Sequence, residues 1–183
     1  MKLALDKYKI MCYGRIIING GIMNIFATDS CPIECAKNLD DKRVVKMVLE
    51  STQMLCTALN ELEGDRVTYY KSTHKNHPCS IWARESTKNW EWLYAHASAL
   101  STEYTNRYHK DHACNRVLVK LPATFMALVP KFRSNVLTPF VNCARNKEKG
   151  LDYTDHEDVH IAYQMYLCDR FETDKRVPTF YGV

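Results

Sequence analysis

The chain has no run of about eighteen consecutive apolar residues, the minimum for a membrane-crossing helix, so no membrane span is expected among its 183 residues. Residues 1–10 carry Lys2, Asp6, Lys7 and Lys9 and lack the long apolar stretch of a secretory signal. The eight cysteines (Cys12, Cys31, Cys35, Cys56, Cys79, Cys114, Cys143 and Cys168) are therefore expected as reduced thiols of a cytoplasmic protein, not as a disulfide framework. A Walker loop, a glycine-rich dinucleotide fingerprint and a Gly-x-Ser-x-Gly elbow are all missing, which argues against the nucleotide-dependent and serine-hydrolase classes that use them. There is no repeat of domain scale and no low-complexity tract. Neither sign of charge dominates: a net +4 permits a polyanionic partner without implying one.

What is present suits one domain. Hydrophobic residues make up 46% of the chain, which supports a core and argues against disorder. The 11 tyrosines and 3 tryptophans are either core or stacking surfaces for bases. Residues 1–22 differ in character from the rest of the chain, being short and mixed in pattern. Ile16-Ile17-Ile18 ahead of Asn19-Gly20 reads as a strand and a turn. The Gly20-Gly21 codons can also spell a ribosome-binding sequence just ahead of Met23. Met23 is thus a candidate start, residues 1–22 an over-extended or flexible segment, and residues 23–183 the single helical domain.

The best-patterned stretch begins at Leu39 and runs to about Glu63. Val44, Val48, Leu55 and Leu59 recur at helical spacing and predict an apolar stripe against a core. Asp40 or Asp41 suits its start and Gly64 its end. Lys42, Arg43, Lys46 and Glu50 lie between the stripe residues, so a half-buried helix carrying cations and one carboxylate is expected. Before it, residues 23–28 form a short strand or extended arm, and Pro32 opens a short helix ending near Asn38. After it comes a polar, basic loop from Lys71 to Cys79. One helix is then expected from Ser80 to Tyr108, with Trp82, Trp90, Leu93, Ala97, Leu100 and Tyr104 as its stripe. Residues 124–132 have helical composition broken by Pro130, and residues 133–154 read as a long irregular connection. A final helix begins around Asp155 to Asp158 with Val159, Tyr163, Tyr166 and Leu167 in its stripe, and residues 174–183 form an extended strap. The expected fold class is all-α: a compact single-domain helical bundle with an extended C-terminal strap.

Three constellations bear on chemistry. Glu50 sits one helical turn after Lys46 and near Arg43 and Lys42. A carboxylate among amines suits general acid–base work or stabilisation of a cationic transition state, although an i,i+4 pair is more often an ordinary ion pair. The segments His74-Lys75-Asn76-His77-Pro78-Cys79 and His109-Lys110-Asp111-His112-Ala113-Cys114 share a His-x-x-His-x-Cys pattern, with residue types that bind zinc. An unbroken helix between them would hold them roughly 40 Å apart, so no metal ligand is assigned and zinc binding is a minor alternative. Aromatics and cations alternate at Tyr69-Tyr70-Lys71, Trp82-Ala83-Arg84 and Tyr104 to Tyr108, a pattern that fits single-stranded bases and phosphates as well as a core with a solvated face.

Leu39-Asp40-Asp41-Lys42-Arg43-Val44-Val45 with Glu50, then His77-Pro78, Leu93, Leu100, Glu103-Tyr104 and Arg107-Tyr108, resembles the pyrimidine-dimer DNA glycosylase (endonuclease V) family. Residues 23–108 are also similar to a group of small phage proteins beginning Met-Asn-Ile-Phe. The resemblance implies a compact helical fold and base excision at a pyrimidine photoproduct, with DNA, double-stranded, as partner and no cofactor. It implies an amine that attacks the sugar C1′, a Schiff base and β-elimination, with Glu50 as the electrostatic and acid–base residue. Lys42, Arg43, His74, His77, Arg84 and Arg107 are the candidate DNA contacts. In the family the nucleophile is the α-amine of a small N-terminal residue. Here the residue after Met23 is Asn24, and Leu49 stands where the family has Arg, so Lys46, if buried, is the alternative amine. A non-catalytic nucleic-acid- or nucleotide-binding protein on the same fold is the competing expectation.

Overall fold

The computed structural model describes residues 23–180. The expectations for residues 1–22 and for residues 181–183 lie outside the described residues. Helices dominate, in the order α1 (Pro32–Lys37), α2 (Asp41–Glu63), α3 (Pro78–Glu85), α4 (Thr87–Tyr108), α5 (Asn115–Leu118), α6 (Leu121–Leu128) and α7 (Val159–Thr173). Residues 133–154 are not wholly irregular: β1 (Arg145–Asn146) and β2 (Leu151–Asp152) form an antiparallel hairpin. No helix of the described residues is long and apolar enough to cross a membrane.

The helix α2 lies at the centre and packs along α4, with α3 and α6 on other sides. Its stripe residues Val44, Val48, Leu55 and Leu59 are fully buried. Burial does not stop at the stripe, however. Every residue from Glu50 to Asn60 is buried, so α2 is enclosed on all sides over its middle turns, not half-buried as its periodicity predicts. Gly64 ends it in the left-handed region, with φ of 84° and its N–H bonded to Asn60 O.

The helix expected over Ser80 to Tyr108 is two helices. Ser86 is extended, with φ −142° and ψ 157°, and its Oγ accepts the Asn89 N–H at 3.0 Å as the cap of α4. The Asn89 side chain answers the carbonyl this break frees, donating to Trp82 O at 2.8 Å. A serine with a free backbone turn ahead of it prefers capping to continuing a helix. The two helices then pack against each other through Trp82 and Trp92, whose rings meet edge-on at 6.0 Å.

The final helix starts at Val159. Asp158 caps it, accepting from His160 N–H at 2.8 Å and Ile161 N–H at 3.2 Å. The strap after it folds back to the start of α2: Asp41 N–H donates to Thr179 O at 2.9 Å, Arg176 pairs with Asp41, and Phe180 meets Phe171 edge-on. Asp174, at the root of the strap, is ringed by Arg43 Nη2 at 3.0 Å, Arg170 Nη2 at 3.2 Å and Lys42 Nζ at 3.5 Å. Burial alone would raise its pKa, but Arg170 and Arg43 outweigh burial and hold the carboxyl at about 2. A depressed carboxylate contributes stability that is present above its unfolded value and lost as pH falls through the folded one. Wild-type stability should therefore drop as pH falls from the ordinary aspartate value of 3.8 towards about 2. Asp174→Asn should cost about 1–3 kcal/mol at neutral pH, since it removes the carboxylate that Arg43 and Arg170 share while leaving them Asp40 and the Tyr166 hydroxyl, and should flatten that acid drop. Urea denaturation across the pH range measures both; an unchanged acid drop in the variant would contradict the assignment.

Candidate active site

An enclosed helix cannot leave its polar side chains to water, so each of them needs a partner from elsewhere. On α2, Asn60 accepts at Oδ1 from Val67 N–H, Thr68 N–H and Thr68 Oγ1, each at 3.0 Å, and donates from Nδ2 to Tyr70 O at 2.9 Å. One turn earlier, Thr57 Oγ1 accepts the Thr73 N–H at 3.1 Å. These bonds fold the loop of residues 64–77 back along α2. The loop turns at His74, which is left-handed with φ of 47°. His77 N–H donates to His74 O at 2.9 Å, and His77 Nδ1 accepts the Cys79 N–H at 3.2 Å as the cap of α3. Pro78 fits this cap because it restricts His77 to an extended backbone, seen here as φ −68° and ψ 138°. Burial, then the neighbouring His74, pushes the His77 imidazole below its usual range, in keeping with a neutral ring whose Nδ1 accepts.

Glu50 is about two turns before the first loop contact, at Thr57, and only 4% exposed. Lys46 Nζ meets its Oε1 at 2.9 Å, and the backbone N–H of Asn24 donates to its Oε2 at 3.4 Å. Burial raises the Glu50 pKa; Lys46, the Asn24 N–H and His74 pull the other way without cancelling it. The site is thus a buried carboxylate with an ammonium on one oxygen and the N-terminal arm on the other. On the same helix, Gln53 Oε1 and Ser51 Oγ are buried with no hydrogen-bond partner.

The arm of residues 23–28 is neither helix nor strand, with Met23, Ile25 and Ala27 buried and a turn at left-handed Phe26, whose carbonyl accepts the Thr28 N–H at 2.8 Å. Asn24 is 3% exposed and held by its side chain. Its Oδ1 accepts from Ile25 N–H at 2.7 Å, Phe26 N–H at 3.2 Å and Tyr163 OH at 2.8 Å, while Nδ2 donates to Cys143 O at 3.2 Å. Cys143 Sγ in turn lies 3.9 Å from Cys79 Sγ. Their contact pushes the Cys79 thiol up, aided by burial, and the Cys143 thiol down.

Of the residues singled out in the sequence, Glu50, Lys46, His74 and His77 come together. Lys46 is 52% exposed, so the burial its alternative role as a free amine requires is absent. Arg84 is half-buried and spends its guanidinium on the carbonyls of Lys75 and Ser80 at the base of the His74 loop. Lys42 is exposed beside Asp174. Arg43 and Arg107 do not face an open surface. Arg43 is 6% exposed and pairs with Asp40 at 2.9 Å and Asp174 at 3.0 Å; Arg107 pairs with Glu103 at 3.0 Å and donates to Leu39 O at 2.7 Å. Trp82 and Trp90 are core residues at 2% exposure, not platforms for bases. Among the described residues no group of three or more His, Cys, Asp or Glu side chains converges on a metal position.

Tyr163 and Cys143 are the site residues that sequence reasoning misses, and it names Asn24 only as a departure from the family's small N-terminal residue. Tyr163 looks like any stripe residue of α7, and only its separation of 139 residues from Asn24, closed by folding, gives it a role. The burial of Glu50 has a measurable consequence. A raised folded pKa for a carboxyl gives stability that is present at low pH and lost as pH rises through that value. Ionised Glu50 therefore costs stability at neutral pH, and Glu50→Gln should leave the melting temperature unchanged or higher there. Lys46→Met should push the Glu50 pKa further up, read by carboxyl ¹³C NMR titration; a downward shift would contradict the geometry.

The model of the pyrimidine dimer DNA glycosylase family matches residues 23–116, about half of the chain. No curated protein and no solved structure matches. The matched span runs from the first residue of the arm past the end of α4, so it contains Asn24, Lys46, Glu50, the loop carrying His74 and His77, and the helices α1 to α4. On that match, joined to a mostly helical fold with a buried carboxylate on its central helix, the chain belongs to the pyrimidine dimer DNA glycosylase family.

Proposed function

We propose that the chain excises a damaged or modified pyrimidine from double-stranded DNA, with Glu50 as the electrostatic and acid–base residue and the nitrogen of Asn24, freed as an α-amine, as the nucleophile. The observation that carries this is the 3.4 Å contact between Asn24 N and Glu50 Oε2. A nitrogen at the start of the family match is already against a buried carboxylate of α2 that pairs with an ammonium and feels the His74 imidazole. Met23 as the first residue of the chain, followed by loss of Met23, exposes that nitrogen as an amine.

The chemistry rests on this placement. The amine attacks C1′, the N-glycosidic bond breaks, and the base leaves with the bonding pair and takes up a proton. The C1′–O4′ bond then breaks, O4′ keeps the bonding pair and takes up a proton, and the nitrogen loses its protons as the imine to C1′ forms. A proton is then removed from C2′ and the C3′–O bond breaks. A carboxyl whose pKa burial raises holds its proton more firmly than an exposed one and, once ionised, stabilises the cationic sugar at short range. Lys46, half exposed beside Glu50, supplies a cation for a phosphate at the mouth of the site. Reaching C1′ requires the target nucleotide to leave the stack.

The chain beginning at Asn24 should release base from UV-irradiated duplex and give a covalent adduct when trapped with borohydride. The chain in which Met23 acylates the Asn24 nitrogen should give no such adduct. Glu50→Gln in the chain beginning at Asn24 should lower single-turnover excision by about 100-fold or more. Absence of base release from both UV-irradiated and modified-base duplexes, or a Glu50→Gln variant as fast as wild type, sinks the reading. DNA binding that survives without excision would favour the non-catalytic nucleic-acid-binding alternative.

A further inference from the structure

The residues that hold Asn24 come from beyond residue 116, outside the span that matches the family. Tyr163 is on α7, fully buried, and Cys143 lies in the connection ahead of β1. The Tyr163 hydroxyl has one proton to give and two acceptors in reach, Asn24 Oδ1 at 2.8 Å and Val141 O at 3.1 Å; it accepts the Cys143 N–H at 3.0 Å. Burial keeps this phenol protonated. Cys143 closes the ring by accepting from Asn24 Nδ2 at 3.2 Å.

The first residues of a chain are mobile unless tied down, and an amine that wanders makes a poor nucleophile however well it is activated. Here the tie is made through the side chain of the very residue whose nitrogen faces Glu50. Asparagine suits the position because its amide offers an acceptor to Tyr163 and a donor to Cys143 O at once. Aspartate would set a carboxylate against that carbonyl, and serine is too short to span both.

We propose that Tyr163 is a positioning residue of this active site: through the side chain of Asn24 it fixes the Asn24 nitrogen against Glu50. This rests on the proposed function, in which that nitrogen is the nucleophile. It gives the C-terminal third of the chain a part in the reaction that the family match does not assign. Tyr163 touches neither sugar nor base. Its removal should leave DNA affinity in place while slowing imine formation, and should release the amine from the field of the carboxylate. An ammonium beside a carboxylate holds its proton to higher pH than a free one, so the released amine should react with aldehydes from a lower pH.

The test uses wild type, Tyr163→Phe, Asn24→Ser and the double variant, each beginning at residue 24 and each shown to fold by thermal melting. All the buried core residues except Met23 are retained in that form. Two measurements run in parallel: borohydride trapping on a duplex with an abasic site, and reductive methylation of the α-amine by formaldehyde and cyanoborohydride, followed by mass spectrometry across pH. For Tyr163→Phe the expected result is trapping slowed about tenfold or more at saturating DNA, an unchanged DNA dissociation constant and a methylation midpoint moved to lower pH. The double variant should be no slower than the slower single one, because both changes open the same link. A Tyr163→Phe variant with wild-type trapping and a wild-type methylation midpoint overturns the proposal. So does a loss of DNA affinity that accounts for the whole slowing. If wild type itself traps no abasic DNA, the nucleophile reading falls, and the methylation profiles still decide whether Tyr163 sets the place of the amine.

Discussion

A polar side chain on a helix that is enclosed from every direction has to be answered by some other part of the protein. That constraint on α2 shapes the site. Between Glu50 and Asn60 every residue is buried. Asn60 and Thr57 draw the loop of residues 64–77 onto the helix, and with it His74 and His77. Glu50 draws the N-terminal arm onto the opposite end through Asn24. The arm in turn is held by Tyr163 from α7. Loop, arm and final helix each supply a partner that the buried polar face of α2 or the arm on it lacks, and together they bring a carboxylate, an ammonium and two imidazoles into one region.

Much of this architecture is legible in local sequence. The apolar stripe of α2, its stop at Gly64, the Pro32 helix start and the strap after α7 come from spacing and cap chemistry, which act over a few residues. The expectations that failed did so where a distant partner decides. Periodicity marks α2 as half-buried because Lys42, Arg43, Lys46 and Glu50 lie between its stripe residues, and it gives no sign that the loop of residues 64–77 closes over the later turns by bonding Thr57 and Asn60. Arg43 and Arg107 read as candidate DNA contacts because, beyond their local partners Asp40 and Glu103, the groups that hold them inside, Asp174 and the Leu39 carbonyl, are distant in sequence. The break at Ser86 is partly visible: a serine followed by Thr87 and Asn89 is cap chemistry, but an unbroken run of helix formers around it masks the signal.

Glu50 shows how the site and the fold pull against each other. A carboxylate enclosed in protein is held by a half-exposed ammonium and one long backbone bond. Satisfied more fully it would be a better structural residue and a worse proton donor or acceptor. The neighbouring His77 resolves the same tension differently. Its ring caps α3 while its backbone N–H closes the turn at His74, whose imidazole acts on the carboxylate. That double use explains why His-Pro at this point is informative about structure and chemistry together.

The separation between Asn24 and Tyr163 also sets an order of events during synthesis. Asn24 leaves the ribosome 139 residues before the tyrosine that holds it, and the carbonyl of Thr179, which takes the first N–H of α2, emerges later still. A nascent chain can form α2 and its loop early, but the arm stays unanchored until α7 has emerged and docked. The nitrogen that faces the carboxylate is thus put in place among the last acts of folding, and a chain cut short before α7 has the carboxylate without the Tyr163 tie on the residue beside it.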